Sequence, residues 1–432
     1  MNKTVVGKAN NFNICFSDIT LASHAGIVLI KEMADRLHIP ELIDREIRVK
    51  QRERGYTESE SLLSLCWSLI VGGEHLSDLN VLRGDPGTQQ LLGLETVIAP
   101  TTAGEFLRKF ELGDLRDLQR LLRLISDQVR PYQKSKTCTL DLDSSVFAQC
   151  SKHKEGSRRT YDWQIGYHPL FCYWAEEGEL LMSHLMSGNR HPSGKAVWFV
   201  KQVLKRVPAG KPLKLRADSA FYSWDLIDLL ELHQIIYAIT ADLTESFRSA
   251  IEAIPEKDWK PDGKDPDVSY AELQYAPHPH AAHRYVVKRV LLKDKKGVPY
   301  YSYHAVITND LRRKPKSLMK WALGRCAMEN LIKEHKSEGG FGLEKMPTKK
   351  FFANWAWLLI GQLAFNLVAW FKRLTLPEQY HPMTIKTIRY RVLNLAGRVV
   401  RSGRQFFLML SDQYHFQDVW QFALKQLAKI VT

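Results

Sequence analysis

Lys136-Thr-Cys-Thr-Leu-Asp-Leu-Asp-Ser-Ser-Val-Phe147 is the stretch whose reading decides the fold. Cys138, Leu140 and Leu142 alternate with Thr139, Asp141 and Asp143, the period of a β-strand that separates the two sets onto opposite faces. The texture of the chain changes here. Residues 1 to about 135 read as helices, with Thr57-x-x-Glu60 and Thr102-x-x-Glu105 both in capping-box form ahead of apolar-periodic segments. Basic clusters accompany them: Arg45, Arg48, Lys50, Arg52 and Arg54, then Arg116, Arg120 and Arg123 at helical spacing on one face.

After the deciding strand, further strands are predicted near Gly166–Tyr173 and Leu180–Met186, followed by a turn at Ser187-Gly-Asn-Arg190. A helix from about Gly194 to Arg206, a strand Pro212–Asp218, a helix from Trp224 to about His233 and a strand Ile235–Thr240 complete the run. Antiparallel strands come first and strand–helix units after, so the order β-β-β-α-β-α-β matches a ribonuclease H-like core and not an ordinary doubly wound sheet. Two strand-like runs, His283–Leu292 and Pro299–Thr308, form a predicted hairpin within a polar, turn-rich interruption. The expected class is α/β (α+β) and multidomain. Residues 1–135 form an N-terminal helical, DNA-binding region, 136–241 the first part of the core and 242–313 a β-rich insertion. Residues 314–345 carry a Glu-bearing core helix, and 346–432 a C-terminal helical region.

The chain has 432 residues, 45% of them hydrophobic, and 61 Lys+Arg against 47 Asp+Glu, a net charge of +14. That excess points to a polyanion, either nucleic acid or an anionic membrane. The one long apolar run, Phe351 to Phe371, is interrupted by Asn354, Gln362 and Asn366, so it reads as a buried core helix and no membrane partner is expected. No apolar leader is visible at the start. Six cysteines without a C-x-x-C pair suit reduced thiols in a cytoplasmic protein. Nucleic acid remains as the partner.

A second informative stretch is Arg325-Cys-Ala-Met-Glu329-Asn-Leu-Ile-Lys333-Glu-His-Lys336, read as part of one helix running from Ser317 to the Gly339-Gly340 stop. On a helix, Arg325, Glu329, Lys333 and Lys336 fall within roughly 80° of one another, an acid between bases. From Gln379 to Ser411 there is no acid; as one helix, its Arg391, Arg398 and Arg401 lie close to one stripe suited to nucleic acid. Three carboxylates stand at telling places: Asp143 ending the first core strand, Asp218 ending the fourth, and Glu329. Singly, Asp143-Ser-Ser reads as a turn cap and Asp218-Ser as a helix start. Together, in a fold that makes those strands neighbours, they suit Mg²⁺ or Mn²⁺, hard cations that take oxygen ligands. Two such ions per active site, roughly 3.5–4 Å apart, serve phosphodiester displacement. Asp141 shares the face of Asp143 and is its rival as first ligand. His168, His184 and His191 suit structural hydrogen bonds better than a metal site.

These motifs resemble a known family. Asp143-Ser-Ser at a strand end, Arg-Ala-Asp218-Ser-Ala-Phe-Tyr and Arg325-x3-Glu329-x3-Lys333-x2-Lys336 are similar to the DDE transposases of bacterial insertion sequences. The branch is the cut-and-paste one with a tyrosine-arginine-glutamate-lysine-lysine signature. Its narrower pattern is matched by Asp141-Leu-Asp143-Ser-Ser, Ser187-Gly-Asn189 and Glu329-Asn-Leu-Ile-Lys-Glu334. The resemblance implies that Asp143, Asp218 and Glu329 hold the metal ions, while Arg325, Lys333 and Lys336 contact phosphates of double-stranded DNA. It implies cleavage at terminal inverted repeats and strand transfer to target DNA by a homodimer in a synaptic complex, in a bacterial cytoplasm and associated with the nucleoid. The signature tyrosine falls on Ala322, with Trp321 beside it. Hairpin-forming members stack a flipped base on an insertion tryptophan, and Trp259 is the insertion's only one. A catalytically inactive DNA-binding derivative and a ribonuclease H-like nuclease without strand transfer are the alternatives.

Overall fold

The computed structural model describes residues 4–9, 12–16, 19–50, 55–277 and 279–430. Two compact units emerge, one of Arg130–Lys336 with Lys349–Phe351, the other of Met1–Val129, Ser337–Thr348 and Phe352–Thr432.

The deciding stretch forms β1 (Cys138–Ser144), which pairs antiparallel with β2 (Leu170–Trp174), itself antiparallel to β3 (Glu179–His184). After α1 (Ser193–Val203) the chain returns as β4 (Leu213–Ala217), parallel to β1 on its other side. Helix α2 (Trp224–Leu232) then leads to β5 (Ile236–Thr240), parallel to β4. The alternation of β1 is real, but both its faces are buried. Leu140 and Leu142 join Cys172, Phe199, Leu215, Ile227 and Tyr237 in the main core. On the opposite face each polar side chain has a charged partner: Thr139 donates to Glu176, and Asp141 accepts from Arg216.

Residues 242–313 continue the same sheet. The predicted hairpin is β7 (His283–Lys293) with β8 (Pro299–Thr308), and a strand not foreseen, β6 (Val268–Tyr275), pairs with β7. Strand β8 lies antiparallel to β5, so with the short strand Lys260–Pro261 at its edge the sheet reaches nine strands.

The single helix predicted from Ser317 to Gly339 is two, α3 (Pro315–Leu323) and α4 (Cys326–Lys336). The break has a local cause. Arg216 donates to the Trp321 carbonyl at 2.8 Å, and a Cβ at Gly324 would collide with that guanidinium. Leu318, Met319 and Ala322 of α3 pack on Ala238, Val286 and Val306 of the sheet.

In the other unit, the helix Glu58–Val71 starts with the predicted capping box, Thr57 and Glu60 exchanging bonds of 3.0 and 2.7 Å. The second box is absent: Pro100 starts the helix Pro100–Arg108 and leaves Thr102 inside it. The helical reading of residues 1–135 also misses an opening hairpin, Thr4–Ala9 with Phe12–Phe16. Of the first basic cluster, Arg52 and Arg54 lie outside the described residues. Arg45 pairs with Glu46; in the second cluster Arg120 pairs with Glu46 and Asp117, and Arg123 with Asp127.

The acid-free stretch 379–411 is not one helix. A helical turn Ile385–Ile388 passes through a π-turn Arg389–Leu393 into a hairpin, Gly397–Ser402 with Gln405–Met409. Val399, Val400, Phe406 and Phe407 favour strands, and Gly403 takes the left-handed turn position. Arg398 and Arg401 therefore sit on a strand, apart from Arg391, and the predicted stripe does not exist. The apolar run forms the helix Phe351–Thr375, whose most apolar window is 89% buried within the fold.

Arg389 turns inward. It donates to the carbonyls of Leu69 and Ile70, at the end of Glu58–Val71, and of Gly339 and Gly340, at 2.7–2.9 Å. Arg389→Met removes four hydrogen bonds, three of them to carbonyls of the buried residues Leu69, Ile70 and Gly340, and is expected to lower stability by about 3 kcal/mol in denaturant titrations, with Arg389→Lys rescuing little because an ammonium cannot span the fork.

Candidate active site

Parallel pairing of β1 with β4 sets Leu140 opposite Leu215 and Asp141 opposite Arg216. Two residues further along each strand stand Asp143 and Asp218, so both carboxylates leave the same end of the sheet. Asp143 is buried and its Oδ1 accepts the Ser144 N–H at 2.8 Å. Asp218 caps a single turn, Ser219–Phe221, accepting the Ala220 N–H at 3.1 Å.

Glu329 is exposed on α4, whose buried side is made by Met328, Ile332 and His335. Lys333 and Lys336 follow Glu329 at helical spacing on the accessible side. Arg325 lies in the turn ahead of α4, a correction to the single-helix stripe, and donates from Nη1 to Asp143 Oδ2 at 2.8 Å.

The electrostatics tie these groups together. Burial pushes the Asp143 carboxyl from the ordinary 3.8 up to about 6; the Arg325 guanidinium opposes the rise, and the charges of Asp218 and Glu329 add to it. Burial also raises Asp218, again against the pull of Arg325. Asp143 thus lies in the field of both other predicted carboxylates. Among the described residues, however, no group of three or more His, Cys, Asp and Glu is gathered closely enough to hold a metal ion. The cation at Asp143 in this structure is a guanidinium.

Asp141, the rival first ligand, is committed elsewhere: both its oxygens accept from Arg216, Nε and Nη2, at 2.6 Å, and it is only 1% exposed. Arg216 escaped the sequence reading, although a signal was present. Asp141 and Arg216 each stand two residues before a predicted ligand, which is what a cross-strand pair beneath the site requires. His168 bonds Ser144 Oγ at 3.0 Å and the Arg190 carbonyl at 3.2 Å, and His191 bonds Ser193 at 2.8 Å. Trp259 packs under the Arg289 guanidinium, 4.2 Å from its ring centroid, and is 7% exposed. Ala322 faces the sheet core, while the Trp321 ring receives the guanidinium of Arg313 at 4.5 Å.

Two aspartates thus stand at the ends of adjacent parallel strands, with a glutamate and a basic flank on a later helix. Residues 5–432 match the family described as Transposase DDE domain group 1, and the chain belongs to it. No curated protein matches the chain. Among solved structures, the cryo-EM structure of a piggyBac transposase synaptic complex with hairpin DNA is similar at 12% identity and a TM-score of 0.44, covering 85% of this chain and 79% of that one.

Because the folded state holds the Asp143 proton up to about pH 6, it binds more protons than the unfolded chain between about pH 4 and 6, and stability falls as pH rises through that window. Asp143→Asn has no charge to bury. In EDTA it is expected to exceed the wild type by up to about 3 kcal/mol near pH 7.5, with the gap closing below about pH 4 in melts across pH. Arg216→Met leaves Asp141 buried and unpaired and should cost about 3–5 kcal/mol, most of it recovered by adding Asp141→Leu. A double variant no more stable than the single one would refute the pairing argument.

Proposed function

We propose that this chain is an insertion-sequence transposase that binds terminal inverted repeats, cleaves the DNA there and joins the freed ends to a target. The observation that carries the reading is the β1–β4 register, which sends Asp143 and Asp218 to one end of the sheet, with Glu329 in electrostatic reach. Family membership supports the same chemistry. The ribonuclease H-like reading of the core is supported by the spatial order β5-β4-β1-β2-β3, with β1, β4 and β5 parallel and β2 antiparallel between β1 and β3.

The donor chemistry fits a hard divalent cation. All three acids offer oxygen, and burial, which raises Asp143 and Asp218, is a cost that a bound cation would offset. Asp143, Asp218 and Glu329 would hold two Mg²⁺ or Mn²⁺ ions per active site. Bound there, the ions supply the Lewis acidity that phosphodiester displacement needs. Arg325, relieved of its hold on Asp143, turns its guanidinium to a DNA phosphate, and Lys333 and Lys336 extend the cationic side along the backbone. The net charge of +14 suits a polyanionic partner. Joining two ends calls for a homodimer in the synaptic complex, working on the bacterial nucleoid in the cytoplasm.

The test is cleavage of a labelled duplex carrying the element's own end, in Mg²⁺ or in EDTA. Nicking at the repeat boundary that requires Mg²⁺ is expected, and Glu329→Gln should abolish it while changing DNA affinity by less than about threefold. Strand transfer retained by that variant in Mg²⁺ would sink the assignment. Binding without cutting by the wild type would leave a DNA-binding derivative.

A further inference from the structure

Between β1 and β2 the chain makes a small three-stranded sheet, Phe147–Ala148, Arg158–Arg159 and Ile165–Tyr167, whose tip is Thr160-Tyr-Asp-Trp-Gln164. The tip is a three-residue hairpin loop. Thr160 N–H donates to the Gln164 carbonyl at 2.8 Å, and Trp163 N–H to the Thr160 carbonyl at 3.1 Å. In such loops the last residue takes the left-handed conformation and is ordinarily glycine. Here it is Trp163, with φ +66°, a conformation that strains a bulky side chain.

The neighbours are chosen to hold the turn. The Thr160 hydroxyl donates to Asp162 and to the Gln164 carbonyl, and Gln164 donates to Asp162 at 2.8 Å. The base is equally fixed: a Cβ at Gly188, in the Ser-Gly-Asn turn, would collide with the carbonyl oxygens of Arg158 and Gly166. Trp163 is the one misfit, and it gains no burial in return, being 76% exposed. The Arg159 guanidinium lies over its ring, 5.2 Å from the centroid. Tyr161, also exposed, lies 5.5 Å ring to ring from His168, which bonds the side chain of Ser144, the residue after Asp143. The charges of Asp218 and Asp143 contribute to the upward shift of the Tyr161 hydroxyl. The hairpin tip therefore stands beside the acidic centre.

We propose that Trp163, flanked by Arg158 and Arg159, is a stacking platform for an unpaired base of the DNA end held at Asp143 and Asp218. An aromatic face kept outward on a rigid turn, with guanidinium groups for the adjoining phosphates, is how proteins grip single-stranded nucleic acid without reading its sequence. The segment 151–163 holds Lys152, Lys154, Arg158 and Arg159 against Glu155 and Asp162, and Glu155 is already paired with Lys350, so the local balance favours a polyanion. This inference rests on the chain acting on DNA, and the experiment separates the two.

Two short duplexes serve as probes, one blunt and one with a single-stranded overhang carrying a fluorescent base analogue. Wild type should bind the overhang duplex about tenfold more tightly and quench the analogue. Trp163→Ala and Trp163→Gly should lose both the preference and the quench, Trp163→Phe should keep most of each, and blunt-duplex affinity should stay within about twofold throughout. Trp163→Gly relieves the backbone and should melt no lower than wild type, which separates loss of the ring from loss of the fold. Undiminished quenching by Trp163→Ala overturns the platform alone. Failure of the wild type to bind either duplex overturns the DNA reading, and the platform with it.

Discussion

Arg216 and Asp141 face each other across the two parallel strands whose ends carry the candidate ligands, and much of the site follows from that contact. A one-residue slip between β1 and β4 would turn every side chain of one strand to the other face. The bidentate pair opposes that slip, because it would leave two buried charges unmatched, at a cost of several kcal/mol. Arg216 does more than mate with Asp141. Its remaining nitrogen holds the Trp321 carbonyl, and a Cβ at position 324 would crowd that nitrogen. One guanidinium thereby fixes the level of Asp143 and Asp218 and the place where α3 gives way to α4.

The helix break matters for the charges. On a continuous helix Arg325 would stand in line with Glu329 and Lys333 on an accessible stripe. Set in the turn instead, it reaches into the centre and meets Asp143. Burial, Asp218 and Glu329 all raise the Asp143 carboxyl, and Arg325 is the main opposing influence. Arg325 thus offsets part of the cost of burying Asp143 and Asp218.

What was legible in the sequence was what short-range periodicity encodes. The alternation over 138–143, the order of strands and helices to Thr240 and the hairpin of β7 and β8 needed only neighbours in the chain. Asp143 and Asp218 were legible because each marks a strand end, and Glu329 because it stands between bases at helical spacing. Illegible features depend on distant partners. Arg216 looked like one more residue before an aspartate until its partner 75 positions away was in place. Arg389 stood in the sequence as one more base of an acid-free stretch, yet its partners Leu69 and Ile70 lie more than three hundred residues earlier, and they pull it inward. Trp163 was passed over because turn geometry, not residue type, makes it unusual.

The interruption over 242–313 is usefully compared with a detachable module. A module would join the core through a pair of linkers and leave the core sheet with its own edge at β5. Here β8 pairs with β5 through Ala238–Thr308 and its neighbours, so the edge is consumed and the sheet continues outward. Helix α3 then rests on side chains from both parts, Ala238 of the core and Val286 and Val306 of the extension. That seat holds α3 against the sheet, just ahead of the turn of Arg325 and the helix of Glu329. Ala322 lies in the seat, where a small side chain lets the helix approach the sheet, and the neighbouring Trp321 gives its aromatic face to Arg313. The third acid is therefore positioned by the extension as much as by the core, and shortening β7 or β8 would disturb the site without touching any of its charged groups.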